Sequence, residues 1–198
     1  MSFLNKKVFF HLAATLSLLA LIGCNGGHLA TGKNLRSLPN YVVTDQHGNK
    51  LRFYDDLIAG HAVVLQFMYT RCDGICPAAT GNLVSARKIC LGQGGSDLRF
   101  ISISLDPARD TPEDLTEYSR ISGMDNEWIL LTGKPAEIEE IRKALGAKDP
   151  DPVLDSQRSS HSAGIVLGND KYDRWAMISG LSPGSAIARS ILRILTAI

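Results

Sequence analysis

From residue 61 to residue 70 the chain is apolar at nearly every position, through Ala62-Val63-Val64-Leu65-Gln66-Phe67-Met68-Tyr69. A run of this length, rich in β-branched and aromatic residues, predicts a strand buried on both faces. Residues 98–105 (Leu-Arg-Phe-Ile-Ser-Ile-Ser-Leu) predict a second strand, closed by Asp106-Pro107, and residues 128–132 a short third one. Two hairpins frame these: residues 41–45 and 50–53 around Gln46-His47-Gly48-Asn49, and residues 161–167 and 172–178 around Gly168-Asn169-Asp170. Helical segments lie between. Residues 78–90 carry Leu83, Val84 and Ile89 among their apolar positions. Thr111-Pro112-Glu113-Asp114 is a helix start, with a capping hydroxyl, proline in the first turn and acids at the positive end of the dipole. That helix runs to about Ile121 and stops near Gly123. Residues 135–145 form another, stopped by Gly146, and Ser182-Pro183 opens a last one. Strands alternating with helices, then a hairpin and a helix, predict an α/β sheet covered on both faces.

The N-terminus has a different pattern. Lys6 and Lys7 precede an apolar run over residues 8–21, shorter than the ~20 residues a membrane-spanning helix needs. This is the build of a signal peptide. It ends in Leu21-Ile22-Gly23-Cys24, similar to a bacterial lipobox, in which the cysteine becomes the lipidated first residue. The organisation expected is a lipoprotein signal peptide over residues 1–23, a polar flexible tether over 24–39, and one folded domain over 40–198. The product is an exported, membrane-anchored lipoprotein facing the periplasm or cell exterior. Asn25 after Cys24, rather than Asp, permits outer-membrane sorting by analogy with known lipoproteins. The plainer alternative is an uncleaved anchor with Cys24 incidental. With 198 residues, 44% hydrophobic content and net charge +1, no basic surface argues for nucleic acid.

Export changes what the cysteines mean, because thiols outside the cytoplasm form and keep disulfides. With Cys24 lipidated, the folded part holds Cys72, Cys76 and Cys90, an odd number. Cys72-Asp73-Gly74-Ile75-Cys76-Pro77 follows directly on the most buried strand. The i, i+4 spacing on a helical turn brings Cβ atoms ~5–6 Å apart, near disulfide distance and near enough for both sulfurs to hold one metal ion. Pro77 suits the first helical position, which makes Cys76 the N-cap, where backbone N–H groups favour a thiolate. A purely stabilising disulfide is the plain alternative, but so short a loop removes little chain entropy. A strand leading into a cysteine pair at a helix start is the thioredoxin arrangement, so the fold expected is thioredoxin-like, a central mixed sheet with helices on both faces. Two thiolates select Cu(I) or Zn and leave the metal under-coordinated, with imidazole the usual complement. His47 belongs to a hairpin turn, and His61 sits at the far end of the strand that delivers the cysteines. His161, between Ser160 and Ser162, remains, and on pattern alone a lone histidine is more often a surface residue than a ligand. Cys90 reads as a buried helix residue.

The chain resembles the Sco (SenC) family, exported thioredoxin-fold proteins involved in copper delivery to cytochrome c oxidase. The resemblance rests on Phe67-Met68-Tyr69-Thr70-Arg71-Cys72-Asp73-Gly74-Ile75-Cys76-Pro77, on Ser104-Leu105-Asp106-Pro107-Ala108-Arg109-Asp110-Thr111-Pro112, on residues 128–133, and on Ser160-His161-Ser162, in family order. It implies a copper site of Cys72, Cys76 and His161 for Cu(I) and Cu(II), with the same cysteines able to cycle between dithiol and disulfide. It also implies an upstream copper donor protein and, as acceptor, an oxidase copper-site subunit or another exported cuproenzyme. Two positions depart from the family pattern: Asp73 stands where proline is frequent, and Ser160 where aspartate is common. An acid beside a thiolate raises the thiol's pKa, and it also favours a bound cation. The stretch from Asp106 to Pro112 is expected to be structural, with Arg109 paired to Asp110 or Asp106.

Two functions therefore lead: a metallochaperone using all three ligands, and a thiol–disulfide oxidoreductase using the cysteine pair to keep a cuproenzyme reduced. Peroxide reduction ranks lower, since nothing beyond the cysteines marks a peroxide pocket. A copper-sensing role is not separable by sequence.

Overall fold

The computed structural model describes residues 38–148, 151, 153, 155 and 163–195. Strands β1 (Val42–Asp45) and β2 (Lys50–Arg52) form the expected hairpin, with Val43 opposite Leu51. Phe53 does not continue β2. It opens a single wide helical turn, Phe53–Ile58, that buries Phe53, Leu57 and Ile58. The apolar run forms β3 (Ala62–Met68) and is followed by helix α1 (Cys76–Leu91). Next come β4 (Leu98–Ser104) and α2 (Pro112–Ser122). Thr111 caps α2 as expected: its hydroxyl accepts from the Asp114 N–H while the Asp114 carboxylate accepts from the Thr111 N–H. Gly123 ends it in the left-handed conformation, with φ 70°.

Strand β5 (Ile129–Thr132) begins one residue later than expected, because the Trp128 carbonyl accepts from the Gln46 side chain and the same amide's oxygen accepts from the Leu130 N–H. Helix α3 (Pro135–Ala144) follows. Strand β6 (Gly164–Asn169) runs through two residues expected in the turn and pairs with β7 (Arg174–Ser179) across a tight turn at Asp170–Tyr172. The shift follows from packing, since Trp175 lies over Gly168 so closely that a Cβ there would sit 2.1 Å from the indole ring. Helix α4 (Gly184–Leu195) completes the described chain.

The sheet order is β2-β1-β5-β4-β3-β6-β7. Strands β3, β4 and β5 are parallel, and the flanking strands are antiparallel to their neighbours. Side-chain alternation divides the core in two. Val64, Met68, Phe100 and Leu130 pack with Leu83 of α1, Leu115 of α2 and Ile187 of α4. Val63, Leu65, Ile101 and Leu131 pack with Phe53, Leu57 and the α3 residues Ile138 and Ile141. Leu38 is buried in the second cluster, so the core reaches back at least that far. A central mixed sheet with helices on both faces, in this order, is the thioredoxin-like fold.

Candidate functional site

Parallel β3 and β4 end side by side, with Met68 opposite Ser104, and the chain leaves both strands at the same edge of the sheet. In open α/β sheets this carboxyl edge is where ligands bind. The Leu105 N–H donates to the Met68 carbonyl at 2.7 Å, tying the two exits together. After Met68 the chain turns, and the turn is closed by the Cys72 N–H donating to the Tyr69 carbonyl at 3.3 Å. Cys72 therefore lies in a loop, not on the helical turn that the i, i+4 spacing suggested. Its N–H is committed backwards, and α1 begins only at Cys76. Ile75 is the N-cap, so Cys76 is the first helical residue and Pro77 the second, one place later than expected. Proline fits there equally well, because the first N–H groups of a helix have no intrahelical partner.

The loop nevertheless brings the cysteines together. Cys72 and Cys76 form a disulfide with Cα atoms 5.9 Å apart. The two halves differ in access: Cys72 is half-buried, whereas Cys76, the first residue of α1, is 7% exposed. In the reduced state this makes Cys72 the outer thiol. Cys76 sits where the first free N–H groups and the helix dipole favour a thiolate. Asp73 is exposed beside them. Cys90 is a buried free thiol on α1, and burial pushes its pKa up.

A set of buried polar side chains lies between β3, β4 and the helices, with Gln66 and Thr80 lining the cleft beside Cys76, and sequence reasoning missed it. Asp110, 2% exposed, accepts from the Thr70 hydroxyl (2.7 Å), the Thr70 N–H (3.2 Å) and the Ser104 hydroxyl (2.5 Å). One turn into α1 from Cys76, Thr80 hydrogen-bonds to Gln66 (3.4 Å) and to the Tyr118 hydroxyl (2.9 Å). Gln66 also donates to Ser102 at 2.8 Å. Burial raises the Tyr118 pKa, partly offset by the hydrogen bonds to Thr80 and Ser122. Arg71 lies 3.7 Å from Asp114, whose carboxyl is held low by the Thr111 backbone and hydroxyl donors, with the Arg71 charge adding to this. Arg109 pairs with Asp106 at 3.3 Å, one of the two partners expected. The signal was present in the sequence: Ser102 and Ser104 alternate on one face of a strand otherwise apolar enough to be buried, and buried hydroxyls require partners.

His161, Ser160 and Cys24 lie outside the described residues. His61 precedes β3, separated from the cysteines by the seven residues of that strand, about 23 Å at ~3.3 Å each. His47 is exposed in the turn after β1. Ala163, two residues after His161, is described: with Met68, Ile75 and Leu105 it lines a small cleft beside Cys76. Among the described residues no three His, Cys, Asp or Glu side chains form a group able to hold a metal ion. The pair can exist as disulfide or as dithiol, states separated by two electrons and two protons. Only the dithiol supplies thiolate ligands.

The profile of the SCO1/SenC family matches residues 30–196. Among curated relatives, a SCO1 protein homolog of Bacillus subtilis is 28% identical over 167 residues, covering 83% of this chain and 84% of that protein. Protein sco1 of Schizosaccharomyces pombe is 31% identical over 156 residues, 76% of this chain and 58% of the relative. Two solved structures superpose over most of their length. A SCO1/SenC family lipoprotein from Bacillus anthracis has TM-score 0.64 and 27% identity, covering 79% of this chain and 94% of its own. ScoI of Bradyrhizobium japonicum, with copper bound, has TM-score 0.61 and 26% identity, covering 78% and 97%. With the paired cysteines at the carboxyl edge of a thioredoxin-like sheet and a family match over most of its length, the chain belongs to the SCO1/SenC family.

Proposed function

We propose that this protein is an exported, lipid-anchored copper metallochaperone that carries copper on Cys72, Cys76 and His161 to the copper centre of a respiratory oxidase. The observation that carries this reading is the Cys72–Cys76 pair at the carboxyl edge of the sheet, Cα atoms 5.9 Å apart, with Cys72 half-buried and Cys76 buried. Two soft thiolates fit Cu(I), and a third, nitrogen donor suits the cargo in either oxidation state. His161 is the candidate for that donor. The residue two places after it, Ala163, lines the cleft beside Cys76, and two residues of chain span at most about 7 Å. A bacterial Sco protein of the same fold holds copper. The disulfide is the unloaded, oxidised state in this scheme. It must take up two electrons and two protons before both sulfurs can bind the cargo, and release by ligand exchange begins at the more open Cys72. Cys24 is the lipidation site that keeps the folded part at the membrane surface, facing the periplasm or cell exterior.

The test is anaerobic Cu(I) titration of the reduced protein against a competing chelator, beside His161→Ala and Cys72→Ser. One equivalent is expected, weakened at least about tenfold by His161→Ala (~1.4 kcal/mol) and lost in Cys72→Ser. Equal, weak binding in all three overturns the copper reading. It leaves thiol–disulfide exchange on a cuproenzyme's cysteines, the reading favoured by the disulfide itself, in which His161→Ala spares activity and either cysteine substitution abolishes it.

A further inference from the structure

The disulfide needs Cys72, the last residue of a turn, to be delivered onto Cys76 at the first residue of a helix. The Cys72 N–H closes that turn, and Arg71 within it lies 3.7 Å from Asp114. Asp73-Gly74 is a compliant pair of exposed residues, and the hydrogen bond closing the turn is a backbone bond at 3.3 Å. The other contacts that hold it come from elsewhere in the chain. Thr70, the second residue of the turn, is gripped twice by the Asp110 carboxylate, through its N–H and its hydroxyl. Asp110 is itself fixed from below by Ser104 of β4. Its loop is folded into a tight coil in which the N–H groups of Arg109 and Asp110 both donate to the Asp106 carbonyl at 2.9 Å.

From this geometry we infer that Asp110 is a positioning residue for Cys72, latching the Tyr69–Cys72 turn so that the Cys72 sulfur is presented to Cys76. The inference deepens the proposed function and rests on the pair being the working group, but not on copper. A carboxylate is suited to the task because it accepts from three donors at once, and its burial excludes water that would compete for them. Presentation of one sulfur to another acts as an effective concentration, so the latch favours the disulfide over the dithiol. When the disulfide opens, two glutathione thiols become one glutathione disulfide and the pair gains two electrons and two protons. The latch sets where that exchange lies.

Three variants of the full chain separate this role from simple packing. Asp110→Ala removes all three contacts. Asp110→Asn keeps them if its amide oxygen takes the Thr70 N–H and the Ser104 hydroxyl while its NH2 donates to the Thr70 oxygen. Thr70→Val removes one contact and leaves the carboxylate in place. Each is equilibrated in glutathione buffers, quenched, alkylated and mapped by peptide mass at Cys72 and Cys76. Asp110→Ala is expected to shift the equilibrium about tenfold toward dithiol, about 30 mV for a two-electron couple. Thr70→Val is expected to shift it about threefold, about 15 mV by the same constant, and Asp110→Asn to stay within twofold of the parent. An Asp110→Ala protein that melts lower but holds the parent's equilibrium overturns the inference. If Asp110→Ala does not fold, Thr70→Val decides, and no shift there overturns it as well. A shift in a protein that binds no Cu(I) sustains the latch while removing the copper reading.

Discussion

At the residue scale the three described cysteines are separated by their surroundings. Cys90 is wholly buried on α1 and its thiol pKa is pushed up, so at neutral pH it is neither accessible nor ionised enough to react. Cys72 is the outer member of the pair and Cys76 the inner. Native, reduced protein with Cys24→Ser is therefore expected to take up two labels from a thiol reagent, at Cys72 first and Cys76 second. A third label, at Cys90, enters only after denaturation. Mass spectrometry of a time course checks both the number and the order. Fast labelling of Cys90 in the native state would show that α1 opens, and it would remove the buried, inert role. The pair was legible in the sequence because its chemistry is compact, four residues apart behind an apolar strand. The Asp110 latch was not, because its members stand 40 and 6 residues apart and meet only when β3 and β4 pair in register.

Elements were legible wherever their signals were local. The capping box at Thr111, the proline-led starts of α2 and α3, and the stops at Gly123 and Gly146 all act within one turn, and all appear in the structure. Boundaries moved where a distant side chain took over a backbone group, as Gln46 does at Trp128 and Leu130, or where packing overrode a turn signal, as at Gly168. Phe53–Ile58 was missed because its helical turn is held by burial of Phe53, Leu57 and Ile58 under the sheet, not by periodicity. The Gly168 case yields a prediction for the β6–β7 hairpin. A Cβ at this position would lie 2.1 Å from Trp175 Cζ3, far inside contact distance, so Gly168→Ala must displace the indole. Overpacking of this kind costs about 1–3 kcal/mol. Urea unfolding is expected to show that loss, and Gly168→Ala with Trp175→Ala is expected to cost less than the sum of the two single changes. Strict additivity would mean that the ring does not hold the glycine.

At the scale of the whole molecule, stability is set against pH by groups whose pKa differs between folded and unfolded chains. Asp114 is held low by Thr111 donors, and Glu117 by its hydrogen bond to Arg120. Burial would raise Glu139, but its hydrogen bonds to Arg142 and Lys148 bring it below the usual value. The partner Arg142 is buried between Glu139 and Asp155 and shifted upward, chiefly by the Asp155 hydrogen bond. For carboxyls depressed in the folded state, the unfolded chain binds more protons as pH falls. Their stabilisation is complete above the unfolded value, about 4, and disappears below it. His61 is also depressed, by burial first and then by the Arg99 charge, with Asp170 opposing. The unfolded chain therefore takes up a proton at His61 below about pH 6.5 before the folded one does, which adds a shallow loss at higher pH. Thermal melts are expected to be flat from pH 8 to about 6.5, to decline gently to about 5 and then to fall steeply below 4. His61→Gln, far from the cysteines, should remove the shallow limb, leaving the steep one and the Cys72–Cys76 equilibrium unchanged. Should the shallow limb survive that change, a different group titrates there, and the carboxyl edge of the sheet, where His161 belongs in the proposed site, becomes the place to look for it.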